Sequence, residues 1–166
     1  MGNRERNTFV KSQMAQAMLT LLREKPFSEI AVREITDTAQ VSRNSFYRNY
    51  AGKEDIIRQH IHMLLKEWSE TCPLKDGTEL YTSFFLHLEK NRDFYLLLKQ
   101  RDLSHLFMEV FLERYGAKPG LDNASAYAAS FISYGIYGWV NEWIARGMQD
   151  PAEMIAELLA AQNRPA

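Results

Sequence analysis

Within six residues the chain places five hydrogen-bonding side chains, Arg43, Asn44, Ser45, Tyr47 and Arg48, around one wholly apolar residue, Phe46. Arginine and asparagine read guanine and adenine bidentately on the major-groove edge, and a rigid phenol hydroxyl suits a phosphate oxygen. Ser42, directly before them, has the chemistry of a helix N-cap. On a helix starting there, Val41, Phe46 and Tyr50 turn inward and the polar set turns outward. Asn44 and Ser45, near the helix start, are placed to reach base edges. Lys53 opens the next helix, where an ammonium and free backbone N–H groups together clamp a phosphate. Thr8 and Arg33, near other helix starts, are further candidates for backbone contacts. The expected DNA-binding set is thus Thr8, Arg33, Ser42, Arg43, Asn44, Ser45, Tyr47, Arg48 and Lys53. The chemistry is recognition, not bond-making.

Bond-making residues lack supporting patterns. His60 and His62 are two apart and point to different sides of a helix. His87 and His105 have no carboxylate or cysteine at ligand spacing, and Cys72 has no histidine at a telling position. No P-loop, G-x-S-x-G or dinucleotide-binding glycine pattern occurs. No catalytic residue, metal or cofactor is expected, so the chain is read as not an enzyme.

The net charge of −1 hides an asymmetry. Residues 1–66 carry 11 Lys/Arg against 7 Asp/Glu, and residues 67–166 carry 9 against 14. A mildly basic head on an acidic body suits a protein whose head alone approaches phosphate. One cysteine rules out a disulfide framework and fits a reducing, cytoplasmic setting. The N-terminus lacks the apolar stretch of a secretion signal, and no run approaches the roughly 18 apolar residues of a membrane span.

These side chains must be positioned by helices. Breakers are few (Pro26, Cys72-Pro73, Asp76-Gly77, Gly116 to Gly120, Gly147 to Pro151) and no period-two pattern survives between them. The spacing predicts an all-α chain of about nine helices. The first is capped by Asn7-Thr8 and runs to about Glu24. Val32–Ala39, Arg43–Asn49 and Lys53–Glu70 follow. Beyond a boundary near Cys72 to Gly77 come Thr78–Asn91, Asp93–Lys99, Leu103–Tyr115, Asp122–Arg146 and Pro151–Gln162. Residues 32–50 thus read as a helix-turn-helix.

The segment Val41-Ser-Arg-Asn-Ser-Phe-Tyr-Arg-Asn-Tyr-Ala-Gly-Lys-Glu-Asp-Ile-Ile57 resembles the N-terminal domain of the TetR family of bacterial transcriptional regulators. Phe27-Ser-Glu-Ile-Ala-Val-Arg-Glu-Ile35 and the amphipathic first helix fit the same family, so the resemblance spans about residues 8–66. Two positions depart from the pattern. Ala31 stands where a capping Thr or Ser is common, and Gln40 replaces the usual turn glycine, which predicts a left-handed non-glycine residue there.

The resemblance implies a DNA-binding head over residues 1–66 and a helical dimerisation and effector-binding domain over residues 67–166. It implies a cytoplasmic homodimer on a pseudo-palindromic duplex operator, with repression as the default, released by a small apolar or aromatic effector. Fifteen of the 20 aromatics lie beyond residue 66. Phe84, Phe85, Phe107, Phe111, Tyr127, Phe131 and Tyr134 are candidates for an effector pocket, with ordinary core packing as the alternative. Small residues along the long eighth helix favour close helix approach, so Ala128, Gly135, Gly138, Trp139, Glu142, Ile155 and Leu158 are candidates for the dimer interface. Two other readings stay open: an interaction adaptor with a degenerate helix-turn-helix, and a regulator without a small-molecule ligand.

Overall fold

Helix α1 (Asn3–Glu24) opens a computed structural model that describes residues 3–72 and 77–162, with side chains described from Asn7 onward. Its apolar residues recur every three or four positions. Met14, Ala17, Met18, Leu21 and Leu22 are accordingly buried. Asn7-Thr8 does not cap this helix, which is already under way at Asn3. Arg4, Glu5 and Arg6 are good helix formers, and a capping side chain acts only where the helix ends.

A 3-10 turn, Phe27–Glu29, leads to α2 (Val32–Thr38), α3 (Arg43–Asn49) and α4 (Lys53–Thr71). Ala31 offers α2 no side-chain cap. Instead the Glu34 carboxylate accepts the Ala31 N–H at 2.9 Å and pairs with the Lys25 ammonium. These contacts, the Lys25 one first, hold the Glu34 carboxyl below its usual range. At the joint between α2 and α3, Gln40 takes φ +53°, the left-handed backbone its position requires. Val41 N–H then returns to the Thr36 carbonyl at 3.0 Å and closes the turn.

The described chain forms two compact units, Met1–Met63 and Leu64–Ala166. The second contains the end of α4, then α5 (Gly77–Lys90), α6 (Arg92–Gln100), α7 (Ser104–Tyr115), α8 (Asn123–Ala145) and α9 (Ala152–Gln162). Of the expected boundary near Cys72 to Gly77, residues 73–76 lie outside the described residues. No strand occurs among the described residues. The all-α architecture therefore stands as expected, with a helix-turn-helix head and a helical C-terminal part.

In the second unit α5 lies along α9, while α8 packs on α6, α7 and α9. Phe85, Leu88, Tyr95, Leu98, Leu106, Val110, Val140 and Trp143 form its interior. The Trp143 indole donates to the Asp150 carbonyl at 3.0 Å. The Arg92 guanidinium donates to Gly147 O at 2.6 Å and Met148 O at 3.3 Å, closing the turn after α8. Gly147 permits that turn with φ +79°.

Candidate nucleic-acid interface and apolar cavity

The face of α3 is set by its start, its middle and its end. At the start, Ser42 Oγ accepts the Ser45 N–H at 3.2 Å and lies 3.0 Å from Ser45 Oγ. In the middle, Phe46 is fully buried, which stabilises the packing by about 1.5–3 kcal/mol. Its ring meets Tyr47 edge-on, with centroids 5.2 Å apart, and Tyr50 at 5.7 Å. At the end, the Gln59 amide on α4 donates to the Asn49 carbonyl at 3.0 Å. Tyr50, beneath, donates to the Lys11 carbonyl at 3.4 Å. Burial, and then the Asp55 carboxylate, push the Tyr50 phenol up to about 12.

The opposite face of α3 is open. Arg43, Asn44 and Arg48 are exposed, and Tyr47 is 66% exposed despite its aromatic ring. Burying Phe46 leaves Tyr47, next in sequence, no inward direction. Two basic side chains, an amide and a phenol therefore project from one short helix. Ser42 and Ser45 are engaged in capping, and Arg48 donates to Ser45 Oγ at 3.3 Å.

Three expected contact residues are placed differently. The Lys53 ammonium donates to the carbonyls of Phe27 at 2.6 Å, Ile30 at 2.9 Å and Ser28 at 3.3 Å. It also sits 4.4 Å from the centre of the Phe27 ring. All three ammonium protons have acceptors, and Lys53 ties α4 to the 3-10 turn. Arg33 is exposed but pairs with Asp37, one turn along α2, at 3.4 Å. Thr8 is exposed within α1, not at its start.

The expected effector residues separate into two groups. Phe84, Phe85, Phe107 and Phe111 are buried. Tyr127, Phe131 and Tyr134 are 75%, 78% and 57% exposed on the outer side of α8 and do not line the cavity that Phe84 and Phe111 share. The reason is that α8 is apolar around most of its circumference. Val140, Trp143 and Ile144 fill its inward stripe and leave other aromatics outside.

A cavity of about 350 Å³ does exist, with Phe84 and Phe111 on its wall. Trp68, Ser69, Cys72, Leu80, Tyr81, Tyr115, Ile132, Ser133 and Ile136 complete it. Sequence reasoning missed these residues, although Phe107, Phe111 and Tyr115 recur every four positions and carry the stripe to the end of α7. The indole of Trp68 lies 4.8 Å from Phe84 and 6.0 Å from Tyr115, centre to centre.

On the outer side of α8, Ala128, Gly135 and Gly138 are exposed, and a Cβ built on either glycine meets nothing within 4 Å. Gly138, Trp139, Glu142 and Ile155 line an open groove of about 420 Å³. Glu142 pairs with Arg146 at 2.7 Å, and Leu158 is 45% exposed on α9. Ile155, by contrast, is only 8% exposed, because α9 turns that side toward its own unit. Among the described residues no group of three or more His, Cys, Asp or Glu is placed to hold a metal ion.

A capped recognition helix held against two others by one buried aromatic defines a helix-turn-helix protein. Residues 16–59 match the family model of bacterial regulatory proteins of the tetR family, and residues 75–162 match that of a transcriptional regulator C-terminal region. The second match alone covers more than half of the chain, and the chain belongs to the TetR family of transcriptional regulators. This is a family of regulators and not of enzymes. A curated relative, the uncharacterized HTH-type transcriptional regulator YxbF of Bacillus subtilis (strain 168), is 25% identical over 174 residues. That similarity covers 92% of this chain but 45% of the relative, so the chain spans less than half of the relative's length. Among solved structures, the dihydroxyacetone kinase operon activator DhaS shares the fold at a TM-score of 0.56 with 19% identity. The likeness covers 92% of this chain and 95% of that one.

Proposed function

We propose that this chain is a homodimeric repressor that binds a pseudo-palindromic DNA operator and is released by a small apolar effector. The observation that carries the reading is the outward face of α3, where Arg43, Asn44, Tyr47 and Arg48 are all exposed. Asn44 and Arg43 read base edges, and Tyr47 and Arg48 hold phosphates. Residues 1–66 act as the reading head, and residues 67–166 dimerise and hold the effector. A cytoplasmic location follows from a duplex target. No helix of the described residues is long and apolar enough to cross a membrane.

Support for a dimer comes from the outer side of α8. Tyr127, Phe131 and Tyr134 stand exposed beside two glycines whose surroundings are open. Exposed aromatics of this kind favour an interface, and close helix approach at Gly135 and Gly138 suits pairing with a second copy. Two α3 helices then enter successive major grooves about 34–36 Å apart. Helix α4 carries Lys53 at one end and the cavity-wall residues Trp68 and Ser69 at the other. An effector in the cavity acts on that helix and shifts the population toward a head separation that no longer fits the operator.

Selection of bound fragments from random duplexes, repeated across a salt series, tests the reading. The expected product is a pseudo-palindrome with affinity falling steeply as salt rises. Fragments without enrichment, or affinity indifferent to salt, reject it in favour of a non-DNA adaptor.

A further inference from the structure

The wall of the cavity between α4, α5, α7 and α8 describes the chemistry of its ligand. No residue lining it carries a formal charge at neutral pH. Arg114, which does not line the wall, already commits its guanidinium to the Ser69 and Tyr115 oxygens, so an anion entering there gives up hydration for little direct pairing. Four aromatic rings, Trp68, Phe84, Phe111 and Tyr115, are mutual neighbours at centroid distances of 4.8–6.0 Å. Such edges and faces favour a flat, apolar molecule. The volume of about 350 Å³ is somewhat more than twice that of an apolar cavity that holds benzene, about 150 Å³, and so admits two rings.

Three polar side chains on the wall are already committed. The Trp68 indole donates to Ser83 Oγ at 3.0 Å, and Ser133 donates to the Ser130 carbonyl at 3.2 Å. Ser69 donates to the Lys66 carbonyl at 2.9 Å and accepts from Arg114 Nη2 at 2.7 Å. Tyr115 differs. Its hydroxyl accepts Arg114 Nε at 3.0 Å, which fixes the oxygen and leaves its own proton to be donated. Burial, the largest influence, holds the phenol above its ordinary range, with Arg114 opposing and Cys72 adding to it. Tyr115 therefore remains a proton donor at neutral pH.

We propose that the cavity binds an uncharged, flat molecule of about two rings whose one polar atom, a carbonyl or ether oxygen, accepts a hydrogen bond from Tyr115. This deepens the effector reading and rests on it, since it names the class of molecule the cavity takes.

Three probes of one shape test the proposal by calorimetry on the full chain: 2-acetylnaphthalene, naphthalene and naphthalene-2-carboxylate. The ketone is expected to bind most tightly and the carboxylate at least tenfold more weakly. Tyr115→Phe is expected to weaken the ketone about five- to tenfold while leaving naphthalene unchanged. Lys99→Ala, at an exposed residue of α6 that does not line the cavity, should leave both affinities unchanged. Equal binding of ketone and carboxylate, equal loss of ketone and naphthalene in Tyr115→Phe, or no binding of any probe overturns the proposal. Duplex binding measured in parallel by fluorescence anisotropy separates the two readings. Probe binding that leaves DNA affinity unchanged rejects effector release but not the ligand class. Intact DNA binding without probe binding rejects the ligand class alone.

Discussion

The Lys53 ammonium lies 2.6 Å from the Phe27 carbonyl oxygen and 4.4 Å from the centre of the same residue's ring. One cation thus satisfies backbone carbonyls at the 3-10 turn and covers an aromatic face, joining segments 26 residues apart. Carbonyls at such a turn have few intrahelical donors, and three of them, Phe27, Ser28 and Ile30, converge on this side chain. The start of α4 is fixed by this junction, and α4 in turn holds the end of α3 through Gln59.

Replacement of Lys53 by Met tests that junction. The methionine retains apolar cover over Phe27 but leaves the carbonyls without their charged donor. A loss of about 1.5–3 kcal/mol is expected in urea unfolding of the head. The salt slope of duplex binding should be unchanged. A slope reduced by about 0.9, with stability intact, returns Lys53 to the phosphate backbone.

What the sequence made legible was chemistry local to a few residues. Ser42 caps α3, Phe46 faces inward and Gln40 adopts a left-handed backbone because each depends on neighbours within one turn. Lys53 was not legible in this way. Its acceptors lie 23 to 26 residues upstream, and a lysine opening a helix looks the same whether it faces a phosphate or a carbonyl. The orientation of α8 was equally hidden. With Phe131, Ile132, Ile136, Trp139, Val140 and Trp143 spread around the helix, periodicity selects no single inward stripe. Only packing against α6, α7 and α9 decides that Val140 and Trp143 go inside and Phe131 outside.

The open face of α3 predicts two different signatures in DNA binding. Asn44→Ala should relax base preference at one position of each half-site by about 1–3 kcal/mol, read from binding to single-base operator variants. Tyr47→Phe should weaken every duplex by a similar factor, because a phosphate contact carries no sequence information. Unchanged preference in the first variant, or altered preference in the second, reverses the assigned roles.

Alkaline stability reports on Tyr50. Its phenol is raised from 10 to about 12, chiefly by burial and then by Asp55. A raised value means that the folded head holds the proton more tightly than the unfolded chain. The resulting stability is fully present below pH 10 and is lost as pH rises from about 10 to 12. Tyr50→Phe removes the ionisable proton and should flatten this part of the stability–pH curve, measured by urea unfolding at fixed pH. An equally steep decline in the variant assigns the loss to other groups.

At Gly138 two effects have opposite signs. A Cβ built there meets nothing within 4 Å in its own subunit, so Gly138→Leu removes a helix-weakening glycine and starts its side chain in open space. The isolated subunit should gain up to about 1 kcal/mol from helix propensity. In the proposed dimer the same leucine would separate two helices that approach closely at that point, so that dimer should weaken. Sedimentation equilibrium is expected to show mass moving toward the monomer, while urea unfolding under monomeric conditions shows equal or greater stability. This combination distinguishes an interface residue from a structural one, because damage to the fold lowers both quantities together. A dimer that persists with the leucine in place moves the contact away from this stretch of α8.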